Sequence, residues 1–362
     1  MIVFLSLLVV VLLVFIGFDF ALLFYEWQAR IHIGRWSDRL EWQKAIEIRA
    51  RKWLQRSPTV KLTDSNHWVL FDMLRGRYRN KTIQSWQEAG LLLAFGKTES
   101  LHYAMRKTDN ITGDWKEKPS RIDEVLLAYV LKKNGALTPK AEETVLAFIM
   151  SLKGTQDTIP YRAVLPNVRF VDTIGMVVPF LFLCGETELA MKQIEEYDRA
   201  KLANTSIPSH AYDIECNVPL GVYDWARGAG WYILGLVESN ADGTLDERII
   251  SLAEDLLPYQ KTDGGFGAMF FNKGSTSESS GTALIGLLMV NAYRISSDQR
   301  FLDAAFGAEK QLMTVTRRTG AIDCCQGDTK GIGYYSMTFS VMPFAQGIAL
   351  KLSKELNMSA HG

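Results

Sequence analysis

A chain of 362 residues, with 48% hydrophobic and 22% charged side chains, is long enough for one large globular domain and apolar enough to build its core. Lys plus Arg and Asp plus Glu both number 40, so the chain lacks the basic excess of a nucleic-acid surface. The four cysteines (Cys184, Cys216, Cys324 and Cys325) contain no C-x-x-C pair and no second histidine stands at ligand spacing from His210, so neither a metal nor another cofactor is expected.

Residues Met1 to Phe18 carry no charge, and the apolar run continues past Asp19 to Tyr25. About 20 apolar residues cross a hydrocarbon core. No basic n-region or small-residue cleavage site accompanies the run, so a retained single-pass anchor over residues 1–25 is expected rather than a signal peptide. Residues 26–39 then form a juxtamembrane segment. Arg30, Arg35, Arg39, Lys44, Arg49, Arg51, Lys52 and Arg56 follow the anchor and no Lys or Arg precedes it, which favours the cytoplasmic side for the domain.

Residues 40–358 read as helical throughout. Apolar residues recur at three and four from Leu40 to Gln55, Asp123 to Lys133, Lys140 to Leu152, Thr173 to Cys184 and Thr187 to Leu202. The same spacing runs from Arg227 to Ser239, Asp246 to Leu257, Ser279 to Tyr293, Asp298 to Thr314 and Met337 to Glu355. The segments pair: one is apolar nearly all round, as in Val125 to Leu131, and the next amphipathic, as in Ala190 to Tyr197. The first kind belongs inside and the second at a surface. Inner helices are expected to begin near Asp123, Asp172, Arg227, Glu278 and Tyr335, at intervals of 49, 55, 51 and 57 residues. A period near 50 suits a helical hairpin with a working loop. Six hairpins in an (α/α)6 barrel, with residues 40–103 supplying the less distinct ones, is the expected all-α fold; an open solenoid shares the period. In a barrel, the polar residues that open the inner helices would meet on one rim.

Asp123 and Asp172 each open an inner helix, where a carboxylate caps free amides or, in a dry pocket, serves as a proton donor. His210 and Asp213 follow in one loop. Trp225, Arg227 and Trp231 surround Gly228 and Gly230 at a helix entrance; Arg suits a carboxylate and Trp the face of a sugar. The segment from Gln260 to Phe266 resembles the Q-x-x-D-G-G-W/F motif of terpene cyclases, but occurs once and without a D-x-D-D cluster, and a tight turn explains it equally. Glu278 opens the helix that continues through Gly281 to Ala283.

Taken in order, these segments resemble the unsaturated glucuronyl and rhamnogalacturonyl hydrolases, glycoside hydrolase families 88 and 105. The correspondence runs through Asp123, Phe170 to Thr173, His210 to Asp213, Trp225 to Trp231 and Glu278 to Ala283. It departs at Thr173 and Ala226, where the family pattern has Gly. The resemblance implies a terminal 4,5-unsaturated uronic acid as substrate and a reaction by hydration. Asp172 would protonate C4 and Asp123 would assist. His210, Asp213, Trp225, Arg227, Trp231 and Glu278 would bind the sugar and its carboxylate. The implied partners are an oligo- or polysaccharide, the membrane, and proteins of a polysaccharide-assembly complex. A non-catalytic glycan-binding scaffold in surface-polysaccharide biosynthesis is the competing expectation.

Overall fold

The computed structural model describes residues 2–58, 60, 64–78 and 81–360. The first helices are α1 (Ile2–Arg30), α2 (Arg39–Gln55) and the short α3 (Val69–Leu74). Inner and outer helices then alternate: α4 (Lys81–Leu92) and α5 (Lys97–Lys107), α6 (Val125–Lys133) and α7 (Pro139–Lys153), α8 (Val171–Leu183) and α9 (Thr187–Glu196). They continue as α10 (Ala226–Ser239) and α11 (Asp246–Leu256), α12 (Ser279–Ser296) and α13 (Gln299–Thr314), ending with the inner α14 (Pro343–Ala360).

Each inner helix packs on the next, and α14 returns to pack on α4. That closing contact decides between a barrel and an open solenoid: the chain is an (α/α)6 barrel, with α2 as the outer partner of α14. Burial follows the sequence pattern. Every residue from Val125 to Leu131 of α6 is buried, whereas only Leu189, Ala190, Gln193 and Ile194 of α9 are.

Two boundaries within the barrel differ from expectation. The segment from Thr187 ends its α-helix at Glu196 and tightens into a 3-10 turn, Tyr197–Ala200. The last inner helix begins at Pro343 and not near Tyr335. Residues ahead of it form β4 (Cys325–Gln326), β5 (Phe339–Ser340) and the loop between them. Gly327, Gly331 and Gly333 interrupt helical continuity, and Gly333 adopts a positive φ of 73°. Proline at the first position then starts α14, where its missing N–H costs nothing.

Short strands shape the loops at the rim. β1 (Val168–Phe170), β2 (Ala211–Asp213) and β3 (Val218–Leu220) form an antiparallel sheet in that order. Phe170 pairs with Ala211, and the Val171 amide donates to the His210 carbonyl at 3.0 Å. This register places His210 beside the start of α8.

The Gln260–Phe266 segment is a structural turn. Gly264 has φ +87° and a side chain there would collide with the Gly307 carbonyl. Asp263 Oδ1 accepts from the Gly265 amide at 2.9 Å, and Gln260 Nε2 donates to the Gly264 and Ala304 carbonyls at 2.8 and 2.7 Å. The motif therefore fastens the end of the α11 hairpin to α13.

α1 has no buried residue and is the one helix, among the described residues, long and apolar enough to cross a membrane, its most apolar 18-residue stretch having a mean hydropathy of 3.0. It runs past the expected boundary at residue 25 without a break. Asp19 accepts from the Trp68 and Val69 amides at 2.6 and 3.0 Å, tying α1 to the start of α3. At its other end Glu26 pairs with Arg317 at 2.5 Å, and Arg30 with the fully buried Asp323 at 2.8 Å. Arg317 also reaches Asp323, at 2.7 Å. Residues 26–30 are thus part of the barrel's surface packing. So are Arg39, which pairs with Glu309 at 2.5 Å, and Arg49, which donates to the Thr319 carbonyl at 2.9 and 3.0 Å.

Candidate active site

The inner-helix starts meet in one cleft. Asp123, Asp172, Trp225, Arg227 and Trp231 line it together with Trp86, Arg121, Tyr161, Arg162, Met176, Asp328 and Thr329. Its enclosed space is about 130 Å³. That is small beside the ~300–1,000 Å³ of drug-sized pockets.

Asp172 is the second residue of α8; the cap position belongs to Phe170, which makes no side-chain cap. The carboxyl therefore does not serve as a cap. Its side chain keeps 16% exposure toward the cleft, yet Oδ2 is buried and accepts no hydrogen bond. Burial, then the nearby charge of Asp123, pushes its pKa up to about 7. Arg227 pulls the other way without overcoming this.

Asp123 sits in the 3-10 turn Ile122–Glu124 ahead of α6. It accepts a 2.5 Å hydrogen bond from the Tyr161 hydroxyl, and burial raises its pKa. The capping task falls to Glu124, whose Oε2 accepts from the Ser120 and Arg121 amides at 2.6 and 3.1 Å. Asp328 completes a trio of acids, with its pKa pushed up to about 6, mainly by burial.

His210 is buried beside them. Its Nδ1 lies 3.0 Å from the Tyr335 hydroxyl, and its ring packs 4.7 Å from that of Trp225. Nε2 is 3.9 Å from Asp172 Oδ2, beyond hydrogen-bond range. Burial, then the Arg227 charge, lowers the His210 pKa to about 4, so the ring is neutral at neutral pH.

Arg227 is in the cleft wall with its donors turned to the backbone. Nη1 donates to the Gln326 carbonyl at 2.5 Å, and Nη2 to the Gly327 carbonyl at 2.6 Å. It holds the loop that carries Asp328. Trp225 supports the same loop, its Nε1 donating to Gln326 Oε1 at 2.9 Å. Trp231 packs edge-on to Trp86 and against Phe344. Ala226, where the family pattern has glycine, is accommodated by its neighbour: a Cβ on Gly281 would lie 2.5 Å from the Ala226 methyl.

Three expected binding residues do not line the cleft: His210 is buried behind Asp172, and Asp213 and Glu278 turn elsewhere. Asp213 ends β2 and its Oδ1 accepts from the Glu215 and Cys216 amides at 3.0 and 2.9 Å, an Asx turn. Glu278 is fully buried and caps α12, accepting from the Ser280 and Gly281 amides at 3.0 and 2.6 Å and from the Gln326 amide at 3.0 Å. Its oxygens face protein donors and not the cleft. Among the described residues, no cluster of His, Cys, Asp or Glu has the arrangement of a metal site.

A barrel of helical hairpins with acids and aromatic rings gathered at one rim is an architecture found among glycoside hydrolases. The model of glycosyl hydrolase family 88 matches residues 127–360, more than half of the chain, and the protein belongs to that family of glycoside hydrolases. No curated protein matches it by sequence. Among solved structures it is similar to a possible member of family 105 from Salmonella enterica serovar Paratyphi A, with TM-score 0.66 and 16% identity over 90% of this chain and 96% of that one. It is also similar to the unsaturated glucuronyl hydrolase of Bacillus sp. GL1, described as responsible for glycosaminoglycan degradation (TM-score 0.62, 16% identity, 87% and 95% coverage). An unsaturated glucuronyl hydrolase specific for heparin gives TM-score 0.64 at 14% identity, covering 89% and 97%. At such identities the likeness is one of fold.

Proposed function

We propose that the protein removes a terminal 4,5-unsaturated uronic acid from an acidic glycan by hydration, with Asp172 as proton donor. The observation that carries this is the Asp172 carboxyl: it lines the cleft, its buried Oδ2 has no hydrogen-bond partner, and burial pushes its pKa up to about 7, so a protonated fraction persists at neutral pH. Protonating carbon demands an acid of this kind. The proton adds to C4 of the enol ether, and positive charge develops at C5, stabilised by the ring oxygen. Water adds at C5 and returns its proton to the Asp172 carboxylate. The resulting hemiketal opens to a ketone at C5. The hydroxyl freed on C1 then drives out the glycan as an alcohol, so the net reaction consumes one water. Asp123, held by Tyr161, lies close enough that its charge raises the Asp172 pKa.

The apolar α1 supports a second element of the reading, retention at a membrane. The Lys and Arg that follow it favour a cytoplasmic domain, although Arg30, Arg39 and Arg49 also serve the fold.

The test uses full-length protein in detergent and a panel of lyase-generated oligosaccharides. Turnover is read as loss of the ultraviolet absorbance of the conjugated enol ether. Loss with wild type and none with Asp172→Asn is the expected result. Binding without turnover across the panel, unchanged in Asp172→Asn, would make the protein a glycan-binding scaffold instead.

A further inference from the structure

The cleft poses an electrostatic problem. Three carboxyl groups, Asp123, Asp172 and Asp328, line about 130 Å³, and the substrate just proposed brings a fourth. A cation has to meet it. Arg227 is the obvious choice from sequence, but its Nη1 and Nη2 donate to the Gln326 and Gly327 carbonyls. Nη1 and Nη2 also meet Cys325, Met342 and Thr329, so Nε is the one nitrogen left without a protein partner among the described residues, and Arg227 offers a carboxylate a single donor.

Two other arginines reach the same cleft. Arg121 and Arg162 both line it and both are exposed. Neither forms an ion pair with a carboxylate among the described residues. Each is positioned by an element of the acid site. Arg121 stands two residues before Asp123, at the entrance to the same 3-10 turn. Arg162 lies over the Tyr161 ring at 5.8 Å, and Tyr161 in turn donates to Asp123. Two guanidinium groups with free donors, held at the mouth of this small cleft, are suited to a planar carboxylate.

We propose that Arg121 and Arg162 form the subsite for the uronate carboxylate, and that Arg227 serves the loop and not the substrate. This rests on the uronyl reading above. The pair sets specificity: a neutral terminal sugar of the same shape leaves both cations without a partner in a site already crowded with acids.

The experiment compares wild type, Arg121→Gln, Arg162→Gln and the double variant on an unsaturated uronyl disaccharide and on its methyl ester, in full-length protein. Both side chains are exposed, so the variants should melt with wild type. Wild type is expected to prefer the free acid, and the double variant to lose that preference through a rise in KM of roughly 10-fold or more, larger than any change in kcat. Direct binding of the same disaccharide to Asp172→Asn, with and without the two Gln substitutions, reads the subsite without turnover. Wild-type turnover with an undiminished acid preference in the double variant overturns the arginine subsite and leaves the uronyl hydrolase reading standing. Arginine-dependent binding with no turnover by wild type does the reverse. Neither binding nor turnover rejects both.

Discussion

Asp172 and Glu278 stand at comparable places: each is an acid at the start of an inner helix, buried at the same rim. Their surroundings separate them. Glu278 accepts from two helix amides, the Ser280 hydroxyl and the Gln326 amide, so its lone pairs have protein donors. Asp172 sits two positions further in, misses the cap, and leaves Oδ2 with no donor. One acid locks a helix to a loop; the other has an unpartnered oxygen and a pKa pushed up to about 7. The difference is made by donors within reach, not by residue type or by repeat position.

The largest expected effect comes from removing the unpartnered acid. Asp172→Asn should lower kcat by about 10²–10⁴-fold, the usual worth of a general acid, while unfolding near the wild-type temperature. Removing the partnered one should do the opposite first. Glu278→Ala deletes a cap and strands the buried Gln326 amide, a loss of about 2–4 kcal/mol measurable by denaturant unfolding. Activity should fall with it, because Gln326 also holds Trp225. If Glu278→Ala instead kept its stability and lost only turnover, the distinction between the two acids would be wrong.

pH sharpens the same contrast. With its pKa near 7, Asp172 supplies its proton below that value, so kcat should decline as pH rises through about 7. Stability carries the same sign. The folded-state value lies above the ~3.9 of an unfolded aspartate, so between these limits the native state keeps a proton that the unfolded chain has released. Stability from this group therefore decreases as pH rises across that window, and Asp172→Asn should flatten the slope in melting temperature against pH. The smallest effect belongs to Asp213→Asn. It loosens a surface turn and should leave kcat/KM on the unsaturated disaccharide within about twofold, since the side chain lies outside the cleft.

The barrel was legible because a helix buried all round and one buried on a stripe differ in composition, and because the alternation repeats. The acids at inner-helix starts were legible for the same reason: periodicity places them at one rim. Asp328 was not. It opens no helix, and its loop replaces what reads as the beginning of α14, so nothing in the pattern marks it. Tyr161 and Arg162 were missed alike, in an irregular stretch between α7 and β1. Asp213 and Glu278 were expected in the cleft because sequence shows that a polar residue is near a rim without showing which way its oxygens turn.

The ion pairs from Glu26 and Arg30 enter the barrel at Arg317 and Asp323, five residues before Asp328. The apolar helix is thus rooted in the strand and loop that deliver one of the cleft's acids. A catalytic domain on a slack tether would sweep every orientation above a surface. Were α1 to lie in a bilayer, its ion pairs to the barrel would restrict the height and tilt at which the domain sits. The same rooting sets where the chain can be cut: removing residues 1–38 to obtain a soluble domain would strip Asp323 of Arg30 and Arg317 of Glu26, and disturb the active-site loop from behind.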